Sequence, residues 1–295
     1  MRPAVVLKIM DQVKGALSTG SVVSKRDVYY HDPALFGTQA TVDRHIDLIA
    51  AALGVKRSDL NVCAAAKGLI AGAAEFHYKD GTVHKLLDDT VPQLIGSSDE
   101  LLAVCMEKVR IILVVEKEAS FQDLLMTSTW HDIKDRAIVL TGKGYPDLAT
   151  RRLLHLLAHP SPTNHFASPP VYLLSDFDPD GIAIAQTYKH GSLKLQHEGQ
   201  GIQTPQARRL GLSRKHVTDL PGSFRSQTLL PMTVGDRRKA QNMLKRMVDH
   251  EDMVEDMVDL QFMLMMNVKA ELQSLNEGQG GLDHVLATAI KEEQT

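Results

Sequence analysis

Three apolar runs, IILVV at 111–115 and those that open AIVLTG at 137–142 and VYLLSD at 171–176, limit what this chain can fold into more than any other feature. A strand with one wet face alternates apolar and polar residues, whereas a continuous β-branched run belongs to a strand buried on both faces. Each run is followed by helix-compatible sequence: FQDLLMTSTW, LATRRLLHLLAH and GIAIAQTYKHG. That succession predicts a parallel sheet covered by helices.

The sequence upstream is of another kind. VLKIMDQVKGAL has helical apolar spacing, and SKRDVYYHDPALF opens with Ser24 in a capping position. Thr38 begins a third helix, TQATVDRHIDLIAAAL, with Val42, Ile46, Ile49 and Leu53 on one face and Gly54 as its stop. Arg44, His45 and Lys56 fall outside that stripe. In AAEFHYKDGTVHKLL two strand-like runs flank Asp80-Gly81, a dipeptide that permits a tight hairpin. Three helices and a hairpin are the elements of a winged helix. Pro92 and Gly96 interrupt TVPQLIGSS, so the expected boundary lies there, with a winged-helix domain at 1–94 and a parallel-sheet domain at 95–295 in a mixed α/β chain.

Beyond the third strand the pattern is less regular. Residues 203–246 mix turns with basic helix starts, and 247–277 reads as one long helix with Met253, Met257, Leu260, Leu264 and Val268 as core filler. Charge divides at the same place: ten Lys or Arg stand against two acids over 205–246, and one against eight over 247–277. The net charge of −3 hides this asymmetry and argues against coating nucleic acid by charge alone. NEGQGG and KEEQT are expected to fray. No apolar run approaches the roughly 20 residues of a membrane span, and charge interrupts the N-terminus before a signal core forms. Cys63 and Cys105 lack CxxC spacing, so neither a disulfide framework nor a structural zinc site is expected, and a reducing compartment is the simplest reading.

Acids follow two of the buried strands. Glu116 comes directly after IILVV, and Asp176 and Asp178 come after VYLL. Parallel strands end at one edge, so these acids can converge in a crevice there. Crowded carboxylates repel and call for a cation, and Mg²⁺ takes such hard oxygen ligands. Asp180 is either a third acid of a DxDxD array or a helix cap, and Glu118 reads as a helix N-terminal charge.

A second constellation is Lys25-Arg26-Asp27-Val28-Tyr29-Tyr30, where a helix sets Arg26 one turn before Tyr30 and Lys25 one turn before Tyr29. A guanidinium beside a phenol can stabilise negative charge growing on a phosphoryl group; paired tyrosines on an amphipathic helix are also common packing residues. His155 and His159 stand at i and i+4 without an HExxH glutamate, which favours a solvated helix face over a metal pair. Gly142-Lys143-Gly144 suits backbone approach to a phosphate but lacks the GxxxxGK[ST] pattern.

With these residues in view, the chain resembles the meiotic double-strand-break transesterases, eukaryotic relatives of the A component of topoisomerase VI. The likeness runs collinearly through SKRDVYYHDPALFGTQATVDRHID at 24–47, LNVCAAAKGLIAG at 60–72, ILVVEKEASFQDLL at 112–125, TGKGYPDLATRRLL at 141–154, LLSDFDPDGIAIAQTYKHGS at 173–192, LLPMTVGDRRKA at 229–240 and LMMNVKAELQSL at 264–275, and looks closest to fungal members. The resemblance implies a winged-helix domain followed by a Toprim domain with a C-terminal extension. It implies Tyr30 as nucleophile with Arg26 beside it, Glu116, Asp176 and Asp178 as Mg²⁺ ligands, and Lys67, Lys143 and Tyr145 along the DNA path. Relatives carry a longer region before the tyrosine than the 29 residues here, so the expectation is either that part of the partner-binding N-terminal region is absent or that the gene model is short. Asp180 stands where archaeal relatives often have an aromatic residue.

The activity so implied is that of a topoisomerase-like transesterase, of the isomerase class, that breaks double-stranded DNA in meiotic recombination through a 5′-phosphotyrosine. A homodimer with hybrid active sites, a topoisomerase VI B-like subunit, meiotic accessory proteins and a nuclear location follow from the same resemblance; that no membrane is involved is expected from the apolar runs being too short. The alternatives are another Toprim enzyme, a metal-dependent nuclease or primase, and a non-catalytic DNA-binding assembly subunit. Lys25, Arg26, Arg44, Arg208, Arg209, Arg237 and Arg238 are the candidate phosphate contacts.

Overall fold

The computed structural model describes residues 3–19, 23–55, 58–63, 67–87, 91–191, 202–219, 228–248 and 251–275. The expectations for Lys56 and for the two C-terminal tail segments lie outside them.

The described residues up to 63 form their own core. Helix α1 (Pro3–Thr19) turns Val5, Ile9 and Val13 inward. Strand β1 (Val23–Ser24) leads into α2 (Lys25–His31), where Ser24 and Asp27 form the reciprocal capping box that satisfies the first free N–H groups. After α3 (Pro33–Phe36), Thr38 caps α4 (Gln39–Leu53), and Gly54 ends it in the left-handed conformation. Val42, Ile46 and Ile49 close this core with Val28 and Phe36. Strand β2 (Val62–Cys63) pairs in parallel with β1. Two expectations for α4 fail. His45 is only 2% exposed, and its Nδ1 lies 2.7 Å from the Thr41 carbonyl, so the backbone satisfies the ring and lets it turn inward. Leu53, at the last turn, overhangs the core and is exposed.

The rest is organised by one six-stranded sheet. In chain order its neighbourhood contains β3 (Leu69–Gly72), β4 (Glu75–Tyr78), β5 (Val83–Lys85), β6 (Gln93–Leu94), β7 (Leu101–Cys105), β8 (Ile111–Val115), β9 (Ala137–Thr141), β10 (Val171–Leu174) and β11 (Arg208–Arg209). The sheet order is β11-β10-β8-β9-β3-β6, with β11, β10, β8 and β9 mutually parallel and β3 antiparallel to β9. The three apolar runs are its centre, and every residue of β8, β9 and β10 is buried, the polar Thr141 included. Leu113, Val139 and Leu174 face one core with Phe121 and Leu124 of α5 (Glu118–Leu125), Trp130 of α6 (Ser128–Ile133), and Leu260 and Met263. Ile112, Ile138 and Leu173 face the other, with Leu154 and Leu157 of α7 (Leu148–Ala158) and Ala185 and Tyr188 of α8 (Pro179–His190). Alternation within a continuous run thus supplies both faces.

The hairpin forms around Asp80-Gly81 as expected, but with β7 it makes a three-stranded arm whose Phe76, Leu86 and Val104 join the core of the large sheet. Packing therefore changes between residues 63 and 69, ahead of the expected boundary at 94/95, because β3 and β6 are already part of the sheet. The long helix expected over 247–277 is divided. Helices Val234–Met247 and Val254–Met266 are separate, the second ends at Asn267 in the left-handed conformation, and β13 (Val268–Ala270) then pairs antiparallel with β12 (Leu229–Pro231). Arg209 of β11, its side chain enclosed between Asp256 at 2.9 Å and Asp259, ties this helix to the sheet edge.

Candidate active site

Strands β8 and β10 are neighbours in register, Val115 opposite Leu174, so the residues that follow leave the sheet together. The Glu116 N–H donates to the Leu174 carbonyl at 2.9 Å, and the Asp176 N–H donates to Glu116 Oε2 at 3.0 Å. Both acids are enclosed, Glu116 at 9% exposure and Asp176 at 3%. Asp178 caps α8, its Oδ1 accepting from Gly181 N at 2.7 Å. Position 181 must be glycine for this turn to come so close: a Cβ there would stand 2.4 Å from the Asp176 carbonyl oxygen and 3.1 Å from Glu116 Oε2.

Burial, and then the neighbouring Asp176 charge, push the Glu116 carboxyl up to about 7. Burial raises Asp178 as well. Asp176 is compensated differently: Leu272 N donates to its Oδ1 at 2.8 Å, and the Lys117 ammonium lies 2.8 Å from its Oδ2 while also reaching Glu271 at 3.2 Å. Among the described residues no three His, Cys, Asp or Glu side chains already close around one point. Mg²⁺ does not require such closure, since it commonly binds through one or two carboxylates and keeps several waters. Two acids linked to each other, with Glu116 held up by burial and by their repulsion, form a donor set that fits that ion.

The loop after β9 frames the crevice. Gly144 N and the Thr141 hydroxyl both donate to the Glu116 carbonyl, at 2.8 and 3.2 Å. Lys143 takes a positive φ of 53°, and its ammonium pairs with Glu118 at 2.8 Å. Lys67 donates to the Tyr145 and Lys143 carbonyls at 2.6 and 3.3 Å, so it pins the loop from below, and burial lowers its pKa. Tyr145 is partly exposed; its hydroxyl donates to Asp180 at 3.2 Å and accepts from Lys239 at 2.7 Å. Asp180 is thus a partner of Lys239 and Tyr145, and Asp178 is the helix cap.

Tyr30 stands on the outer side of a helix that packs in the other core. It stands 59% exposed on α2, with Arg26 Nη2 3.5 Å from its hydroxyl and the guanidinium 5.6 Å from its ring centroid. Tyr29 is half-buried and meets it edge-on. No hydrogen bond or ion pair among the described residues joins Tyr30 or Arg26 to Glu116, Asp176 or Asp178.

The basic candidates separate by burial. Arg44, Arg208 and Arg238 are not enclosed by the fold. Arg237 is exposed but bonded to Asn267 at 2.6 Å. Lys25 does not match the expected phosphate contact: it is 8% exposed and its ammonium lies 3.3 Å from Asp47 and 3.9 Å from Asp43, because it starts α2 on the side facing α4. The Arg209 guanidinium is held in its carboxylate pair and is equally unavailable. His155 and His159 are partly exposed; their rings stack at 3.9 Å, and the Gln203 carbonyl lies 2.6 Å from His155 Nδ1. The sequence reading missed Lys117 and Lys239. Lys117 could have been suspected from its place beside Glu116, whereas nothing in the order of residues announced Lys239.

Comparison with known proteins follows the same division of the chain. The family model for the Toprim domain of topoisomerase 6A/Spo11 matches residues 111–290, and that described as "Type IIB DNA topoisomerase" matches residues 1–62. The chain belongs to the topoisomerase 6A/Spo11 family. It is 35% identical to the meiotic recombination protein SPO11-1 of Oryza sativa subsp. japonica, over 92% of this chain and 69% of that protein. Identity to SPO11 of Mus musculus is 33%, over 92% and 66%. For rec12 of Schizosaccharomyces pombe it is 33%, over 98% and 77%. The chain thus spans about two thirds of the rice and mouse relatives. Membership in the topoisomerase 6A/Spo11 family carries the coarse function, a topoisomerase-like, DNA-cleaving protein of meiotic recombination. Among the described residues no helix is long and apolar enough to cross a membrane.

Proposed function

We propose that the chain is a type IIB topoisomerase-like transesterase in which Tyr30 attacks a phosphodiester of double-stranded DNA. The phenol gives up its proton as its oxygen forms the new P–O bond, the bond from phosphorus to the 3′-oxygen breaks, that oxygen takes up a proton and leaves as the 3′-hydroxyl, and the protein stays joined to DNA through a 5′-phosphotyrosine. Arg26, within reach of Tyr30 Oη, stabilises negative charge as it moves onto the phosphoryl oxygens. The ester retains the energy of the broken bond, so the step needs no ATP.

Glu116, Asp176 and Asp178 are the residues that would hold Mg²⁺, with Lys117 giving way at Asp176. The ion would supply charge neutralisation at the phosphate and orientation of the strand. The observation that carries the reading is the pairing of an exposed tyrosine, one helical turn from an exposed arginine, with enclosed acids at the ends of two neighbouring parallel strands.

The helix carrying Tyr30 and the strands carrying the acids pack in separate cores, which supports a homodimer in which one protomer's tyrosine works at its partner's acids. A topoisomerase VI B-like subunit, meiotic accessory proteins and a nuclear location belong to the same reading. The test is recovery of protein-linked DNA after denaturation, from cells in meiosis carrying the native chain or Tyr30→Phe. Adducts that depend on Tyr30 support it. Cleavage that persists in Tyr30→Phe would instead assign a Toprim nuclease.

A further inference from the structure

The helix Val234–Met247 presents one basic face to a cavity of about 370 Å³. Arg238, Lys239, Asn242 and Arg246 recur at helical spacing along that face, and Tyr145, in contact with Lys239, also lines the space. The cations differ in what they already hold. Lys239 is matched by Asp180 and donates to Tyr145. Arg238 and Arg246 are exposed and make no ion pair among the described residues. No carboxylate of the described residues lines the space. Two guanidinium groups and a side-chain amide therefore face a cavity large enough for a phosphate, with no built-in counter-ion. Planar guanidinium groups match phosphate oxygens with paired donors, which a compact ammonium does not.

The cavity adjoins the acid crevice. Asp180 is two residues beyond Asp178 in the first turn of α8, and it holds both Tyr145 and Lys239, the cavity's near wall. We propose that this cavity is a subsite for a backbone phosphate on the flank of the cut, held by Arg238 and Arg246 with Asn242 donating. It is separate from the scissile phosphate, and it rests on the DNA-cleaving reading above. Such a contact positions the duplex and carries no sequence preference.

The experiment measures DNA binding in the full chain carrying Tyr30→Phe, so that no cleavage intervenes. Fluorescence anisotropy over a salt series compares this parent with an added Arg238→Ala/Arg246→Ala pair, and with Lys245→Ala as a control on the same helix outside the cavity. Each lost phosphate contact flattens the slope of log affinity against log salt by about 0.9, so a reduction of about 1 to 2 is expected for the pair. The loss should be equal on duplexes of different sequence, and Lys245→Ala should leave the slope near the parent's. Thermal unfolding checks that the exposed pair has not altered the fold.

An unchanged slope in the pair, or an equal change in Lys245→Ala, overturns the subsite while leaving the cleavage reading intact. Inorganic phosphate that stabilises the parent but not the pair, with the DNA slope unchanged, would assign the cavity to a free anion and overturn the duplex contact. A parent that binds no duplex at all overturns both readings, and is told apart by that fact.

Discussion

Tyr30 stands 59% exposed on a helix of seven residues, whereas Glu116 and Asp176 are enclosed at the ends of strands whose two faces are both covered. The two regions fix their polar groups by different means. Around the tyrosine the constraints are local: a capping box, an arginine one turn away and an edge-on ring. Around the acids they are distant in sequence, since Glu116, Asp176 and Leu272 are joined by direct hydrogen bonds. A site of the first kind can lose its function while the fold survives. A site of the second kind cannot be altered without a response from the core.

The largest contrast is expected from Tyr30→Phe, which should reduce protein-linked DNA to background while the unfolding midpoint stays within error of the native chain. A shifted midpoint would show that the phenol also belongs to the helical core. Glu116→Gln should behave in the opposite sense. An acid with an ordinary pKa of 4.5 that is held at about 7 when folded stabilises the fold below pH 4.5 and loses that contribution as pH rises to 7. Metal-free native chain should therefore lose about 3 kcal/mol of stability across that window, and Glu116→Gln should remove most of the decline. Urea titrations at pH 5 and pH 8 measure it, and parallel curves would refute the assignment. A residual slope is expected from Asp178, which is raised in the same direction.

Gly181→Ala tests how tightly α8 is held against the acids. Its Cβ would meet the Asp176 carbonyl oxygen at 2.4 Å, and the backbone shift that relieves this should cost about 2 kcal/mol. The same substitution at Gly15, where nothing lies within 4 Å, should be neutral or stabilising in helix α1. The smallest effect is expected from Ser24→Ala, which removes one half of the capping box of α2 and should cost about 1 kcal/mol. If it lowers adduct yield far more than stability, the cap has a further role in setting the direction of Tyr30.

The two regions were also unequally legible. The buried strands could be read directly, because a continuous β-branched run has few other uses, and the acids after them followed from the shared edge of a parallel sheet. The capping residues Ser24 and Thr38 were equally plain. What could not be read was direction and allegiance. Lys25 and His45 look like surface residues until Asp43, Asp47 and the Thr41 carbonyl are seen to satisfy them. The hairpin has the turn chemistry of a wing, yet its apolar residues pack with the large sheet, a choice made by long-range burial and not by the turn. The helical spacing through Val268 continues past Asn267, but cross-strand pairing with Leu229–Pro231 takes precedence.

The ammonium of Lys117, 2.8 Å from Asp176 Oδ2, gives the crevice a resident counter-charge. Loading a divalent ion there would consequently exchange one cation for another and would not fill a bare hole. With the carboxylates already ionised, the net charge of the crevice would rise by one unit if Lys117 withdraws and by two if it remains, less one for each proton the acids release, and a displaced lysine would be delivered to the rim where a polyanion arrives.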